Sequence, residues 1–152
     1  MSEIIESSLP QLRLLLYIGL ALLLGGVIGW EREEAEKPAG LRTHMLVCAA
    51  AALLVGLGEI LTEEFRRDIF GDLVRTDPTR LLEAIITGVS FLGAGTIIRQ
   101  RGRGSVAGLT TAASLLMTSG IGAAIALHQF VLAAGATVAT FVTLRFVWKA
   151  RA

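Results

Sequence analysis

The sequence is poor in what most soluble activities need. It holds one cysteine, Cys48, inside an apolar run, so the chain cannot form a disulfide framework or a cysteine-rich metal site. Charge is nearly balanced, with 14 basic and 13 acidic residues for a formal net charge of +1, and this gives no information about partners. No charged residue lies between Ser105 and Leu144. No hydrolase triad, phosphate loop or zinc-ligand spacing is legible, so an enzyme is not expected. A cleaved leader is not expected either. Glu3 and Glu6 stand where a basic leader region belongs, and the first apolar run ends in Gly29-Trp30-Glu31-Arg32 with no small-residue cleavage pattern.

What is abundant is apolar surface. Hydrophobic residues make up 53% of the 152, and the mean hydropathy is +0.66. At ~1.5 Å per helical residue, the uncharged stretch alone would cross a hydrocarbon core of ~30 Å twice. A water-soluble fold, a disordered tail and a nucleic-acid binder are thereby excluded, and the lipid bilayer is the first partner. The expected fold is an all-α polytopic membrane protein, residues 1–152 forming one transmembrane domain. Charges divide it into five spans, at about 14–30, 43–61, 81–98, 105–127 and 130–148, with His128-Gln129 as the turn before the last. In the connection after the second span, Phe65, Ile69 and Leu73 recur at helical spacing among charges, which predicts a short amphipathic helix.

Lysine and arginine fix the expected orientation. With the N-terminus outside, the inner side holds Arg32, Lys37, Arg42, Arg99, Arg101, Arg103, Arg145, Lys149 and Arg151, whereas the outer side holds Arg13, Arg66, Arg67, Arg75 and Arg80. Nine against five predicts the N-terminus outside and the C-terminus in the cytoplasm.

The chain also repeats itself. Leu24-Gly25 returns as Leu92-Gly93, and Ala39-Gly40-Leu41 followed by Thr43 returns as Ala107-Gly108-Leu109 followed by Thr111, each time 68 residues later. A constant offset predicts two equivalent hairpins, spans one-two and three-four, plus a fifth helix. Small residues at Ala21, Gly25 and Gly29 form a helix-packing stripe on span one, and Gly104 and Gly108 a second before span four. Gly93 and Gly95 are read in the same packing role.

Five blocks carry a family resemblance: Gly29-Trp30-Glu31-Arg32-Glu33, Lys37-Pro38-Ala39-Gly40-Leu41-Arg42-Thr43-His44, Asp77-Pro78-Thr79-Arg80, Phe91-Leu92-Gly93-Ala94-Gly95, and Gly108-Leu109-Thr110-Thr111-Ala112-Ala113-Ser114. Together they resemble the signature of the MgtC/SapB membrane proteins. The resemblance implies a bacterial inner-membrane protein linked to growth in low magnesium and to virulence through survival inside host cells. For some relatives it implies restraint of the proton-translocating ATP synthase as a partner, and magnesium transport has also been suggested for the family. Many relatives carry a soluble C-terminal domain, which is expected to be absent here. Glu83 stands where a neutral amide is more usual, Ser90 where glycine is, and Ala107 where a basic residue often is.

On the expected topology, four of the blocks meet at the cytoplasmic leaflet. The candidate site there comprises Glu31, Arg32, Arg42, Thr43 and His44, with Thr110 and Thr111 opposite. The planar fork of Arg42 suits a carboxylate such as Glu31. His44 reads either as a hydrogen-bonding partner or as a metal ligand with Glu31. Glu33–Lys37 and Arg32–Glu36 are spaced for ion pairs if the first helix continues beyond the membrane, and such self-neutralising pairs argue against a dedicated magnesium cage. No cofactor is therefore expected, magnesium being the one ion in question. On span three, Glu83, Thr87, Ser90 and Ala94 share a face, and on span four Thr111, Ser114 and Thr118 do. The two faces could line a pathway or serve as interhelical hydrogen bonds. Two functions stay open: a non-enzymatic modulator of other membrane proteins, which charge-free span centres favour, and a small magnesium or cation transporter. A homodimer is compatible with either.

Overall fold

Turn chemistry sets the ends of five helices. The computed structural model describes residues 2–67, 78–100 and 107–149. Helix α1 runs Ser2–Glu34, α2 Leu41–Arg67, α3 Pro78–Gln100, α4 Leu109–Ala126 and α5 Phe130–Lys149. Four are long and apolar enough to cross a bilayer, and the apolar part of α5 spans Phe130–Phe146. At ~1.5 Å per residue that part is about 25 Å long. The chain is therefore a multi-pass, all-helical membrane protein.

The first and fourth helices stop in the same way. After α1, Lys37 N–H donates to Arg32 O and Glu36 N–H to Glu33 O, both at 3.0 Å, while Glu36 takes φ 53°. After α4, Gln129 N–H donates to Ala124 O at 2.8 Å and His128 N–H to Ile125 O at 3.0 Å, with His128 at φ 60°. This double bond across a left-handed residue satisfies the orphan carbonyls of a helix end, usually with glycine at the turning position. Pro38 then prevents α1 from continuing. The helical ion pair expected between Arg32 and Glu36 is thus not made, because α1 has already turned left-handed at Glu36.

The fourth helix also starts later than the sequence suggests. Gly108 takes φ +94° and α4 begins at Leu109, so the span expected from residue 105 is shortened at its start. At that φ a side chain would be strained, and a Cβ on Gly108 would lie 3.0 Å from Thr96 O. Gly108 is a turn residue pressed on the backbone of α3, not part of a helical stripe. Gly104, with Arg101 and Arg103, lies outside the described residues. So do Ile69 and Leu73 of the expected amphipathic helix, while the backbone of α2 stays helical through Phe65 to Arg67.

Helix α4 is the centre of the bundle and contacts each of the other four. Of its residues 61% are buried, against 17% for the apolar stretch of α3, which among the described residues packs on α4 and α2. Close backbone approach makes these contacts. A Cβ on Gly25 would stand 2.7 Å from His44 O and from Cys48 Cβ, and one on Gly29 2.7 Å from Leu41 Cα. A Cβ on Gly122 would overlap the Cys48 carbonyl, so α2 and α4 touch through backbone there as well. In lipid, where apolar side chains gain little by meeting each other, such contacts are the main source of helix association.

The repeat is visible in this packing. Gly25 of α1 faces His44 of α2, and Gly93 of α3 faces Ala112 of α4, where a Cβ on Gly93 would lie 3.0 Å from the Ala112 Cβ. Both members of the second pair lie 68 residues after those of the first. The two hairpins are closed at the same register.

Candidate functional site at the shared helix end

Odd-numbered helices finish, and even-numbered ones begin, at one end of the bundle. Four signature blocks meet there, and a mixed polar cluster forms from side chains of α1, α2 and α4. At the end of α1, Glu31 is 5% exposed and Arg32 3%. Arg32 Nε–H donates to Glu31 Oε2 at 2.6 Å, a charge-assisted bond inside the protein. Removing either partner from such a pair leaves a buried charge uncompensated, at a cost of ~3–5 kcal/mol. The partner of the Glu31 carboxylate is thus its sequence neighbour, and Arg42, expected in that role, is exposed. The reason is register: Arg42 projects outward on the first turn of α2, two residues before the fully buried His44.

His44 joins two hairpins. Its Nδ1 lies 2.9 Å from Gly40 O and its Nε2 3.0 Å from Ser114 Oγ on α4. A carbonyl oxygen only accepts, so Nδ1 donates to Gly40. Ser114 in turn has its hydroxyl 2.8 Å from Thr111 O. Both ring nitrogens are therefore held by protein groups. Among the described residues no group of three His, Cys, Asp or Glu side chains is placed to hold a metal ion.

The remaining expected residues divide by exposure. Thr111 is 2% exposed and sits inside the cluster. Thr43 is half-buried, whereas Arg42 and Thr110 are exposed at the bundle end. Gly25, Gly29 and Gly93 lie at helix contacts. Gly95 does not: a methyl group added there would have nothing within 4 Å and would face open space.

Three participants escape a reading by motif. Glu33 Oε2 accepts the Leu41 N–H at 2.7 Å, so a carboxylate from α1 caps the start of α2, where the helix dipole favours negative charge. Ser114 belongs to a signature block, yet its bond to His44 depends on a helix 70 residues away in sequence. Arg145 Nη1–H donates to Glu34 Oε2 at 2.6 Å and ties α5 to α1. As the first charge after the long uncharged stretch, Arg145 was the legible signal that α5 returns to the level of Glu34. Glu31, Arg32, Glu34, Lys37, Leu144 and Arg145 line a cavity of about 320 Å³ between the ends of α1 and α5.

The polar faces of spans three and four do not form a shared lining. Glu83, Thr87, Ser90 and Ala94 are exposed, and α3 turns Ile85, Val89 and Gly93 to the bundle instead. Thr118 donates to Ser114 O at 2.8 Å, Thr137 to Ala133 O at 2.8 Å and Thr140 to Ala136 O at 2.7 Å, so these buried hydroxyls are satisfied by their own helices.

Comparison with known proteins agrees with the signature blocks. The chain is 36% identical over 126 residues to an uncharacterized protein of Haemophilus influenzae, covering 83% of this chain and 52% of that protein. It is 36% identical over 126 residues to the putative magnesium transporter YhiD of Escherichia coli, covering 82% and 56%. To protein MgtC of Salmonella typhimurium it is 39% identical over 118 residues, covering 78% and 45%. The chain thus spans about half the length of the curated relatives it matches. No solved structure matches it. Residues 18–151 match the MgtC family, and these residues include all five helices in whole or in large part. The chain belongs to the MgtC family.

Proposed function

We propose that this protein serves adaptation to low magnesium as a non-enzymatic modulator of other membrane proteins. It would lie in the bacterial inner membrane with its N-terminus outside and its C-terminus in the cytoplasm. The observation that carries this reading is the division of the signature residues at the shared helix end. Glu31, Arg32, His44 and Thr111 are buried and hold the hairpins together, while Arg42 and Thr110, from the same blocks, are exposed. Exposed charged and hydroxyl groups on a rigid, internally bonded platform suit contact with a partner. Within the membrane we place the partner contact on the outward face of α3, a second copy of the chain included. Outward polar groups such as Glu83 and Ser90 there call for cover by protein.

The alternative is magnesium transport, which the name of the YhiD relative favours. A transport path normally shows charged groups or broken helices near the midplane. Here α4 runs unbroken from Leu109 to Ala126, and the buried hydroxyls bond to their own helices. Growth in low magnesium of a strain depending on this chain tests the modulator reading. Arg42→Gln and Thr110→Val should abolish growth while protein level and melting stay at the parent value. Full growth with both substitutions combined would overturn it.

A further inference from the structure

Helix α5 is pinned to α1 near both of its ends, and the pins set how much bilayer this side of the bundle can span. At one end the centroid of the Tyr17 ring on α1 lies 5.6 Å from that of Phe130 and 5.2 Å from that of His128, in the turn before α5. At the other end Arg145 Nη1–H donates to Glu34 Oε2 at 2.6 Å. Between the pins α5 carries no charge, and Val131, Leu132, Val138 and Phe146 are exposed. The helical rise from Gln129 to Arg145 is about 24 Å, and that from Tyr17 to Glu34 on α1 is about 26 Å. The two helices agree on the span between the pins. An ordinary hydrocarbon core is ~30 Å thick.

We propose that the α5 side of the bundle fits a thinned bilayer, and that its lipid partner is one with short acyl chains. A short helix meets a thicker core by extending flanking polar side chains to the interface or by thinning the lipid around it. Arg145 has the length to reach outward, but its guanidinium is held at the level of Glu34. At the Tyr17 end His128 and Gln129 are exposed, and the Gln129 amide donates back to Leu127 O at 3.3 Å. The first N–H groups of α5 have no partner within the helix and call for water or headgroups at that level. Any tilt of α5 shortens its projection across the bilayer and deepens the mismatch. Helices α2 and α3 point the same way. From exposed Arg42 to exposed Glu59 the rise is about 26 Å, and from exposed Glu83 to Arg99 about 24 Å. Helix α1 reaches about 30 Å, from exposed Arg13 to exposed Glu33, because it extends past the α5 pin at Tyr17. The thin sector therefore centres on α5, and the proposal does not rest on the role in low magnesium.

The test is thermal unfolding of the purified full chain, followed by circular dichroism, in vesicles of dimyristoleoyl, dipalmitoleoyl, dioleoyl or dierucoyl phosphatidylcholine. These lipids share a headgroup and differ in chain length. The melting temperature should be highest in one of the two shorter lipids, lower in dioleoyl and lowest in dierucoyl vesicles. Arg145→Leu removes the pin to Glu34 and lengthens the charge-free run, so that the rise from Gln129 to the next charge, Lys149, becomes about 30 Å. The lost ion pair is part-exposed, its side chains 38% and 51% accessible, so folding should survive. This variant should move the optimum to a longer lipid. The readout is the lipid at which stability peaks, which a uniform loss of stability does not shift. An optimum in dioleoyl or longer chains, or a melt independent of chain length, would overturn the proposal. A short-chain optimum that Arg145→Leu leaves in place would overturn it as well. If Arg145→Leu fails to fold, the optimum of the parent chain decides.

Discussion

His44 Nε2 lies 3.0 Å from Ser114 Oγ, and this contact links the first hairpin to the second inside the protein. Because Nδ1 must donate to the Gly40 carbonyl, neutral His44 is the Nδ1–H tautomer, and its bare Nε2 shares the single Ser114 hydroxyl proton with the Thr111 carbonyl. Nitrogen-15 NMR of histidine-labelled protein should show that tautomer. Ser114→Ala should cost ~1–3 kcal/mol by leaving the ring nitrogen buried and unpaired. Finding the Nε2–H tautomer would mean that the ring is held differently.

The Glu31–Arg32 pair predicts non-additive substitutions. Glu31→Gln alone should lose ~3–5 kcal/mol, since it strands a buried guanidinium. The double change Glu31→Gln, Arg32→Gln should lose less than the sum of the two singles. Thermal melts in detergent measure both, and strict additivity would show that the two side chains do not act as a unit.

Glycine positions should differ sharply in tolerance. Gly25→Val drives a side chain into His44 O and Cys48 Cβ, each 2.7 Å from the first added carbon. Overpacking of this kind costs ~1–3 kcal/mol or more. Gly95→Ala meets nothing within 4 Å and should leave folding unchanged. Comparing membrane-inserted protein level for the two variants separates contact glycines from incidental ones.

Much of this architecture was legible in the chain, and the misses have physical causes. Five helices, the His128-Gln129 turn and the hairpin register follow from hydropathy, charge breaks and the 68-residue offset, because lipid forces backbone bonds to close within each helix. Helix ends were less legible. Glu36 and His128 turn left-handed without being glycine, so neither position carried the usual stop signal. Within the site, spacing identified which residues meet at one end but not who pairs with whom. Arg42 looked like the partner of Glu31, yet the adjacent Arg32 takes that place, a choice set by how α1 rotates against α2. On α3, polar positions at helical spacing were compatible with a lined path or with interhelical hydrogen bonds, but Gly93 seated on Ala112 turns that face outward.

Orientation has its own test. Cys48 is fully buried, so single cysteines at Glu34 and Asp68 can be read by impermeant labelling over a low background. Asp68 should label from outside intact cells and Glu34 only after permeabilisation, as the lysine and arginine asymmetry requires. Labelling of Glu34 alone from outside would invert the topology.

The central claim is that the chain acts on other membrane proteins and does not itself carry magnesium. Magnesium flux into liposomes holding only the purified full chain tests it most directly. The account predicts a rate equal to that of protein-free liposomes, with or without a membrane potential. A saturable magnesium influx that scales with protein density would contradict it.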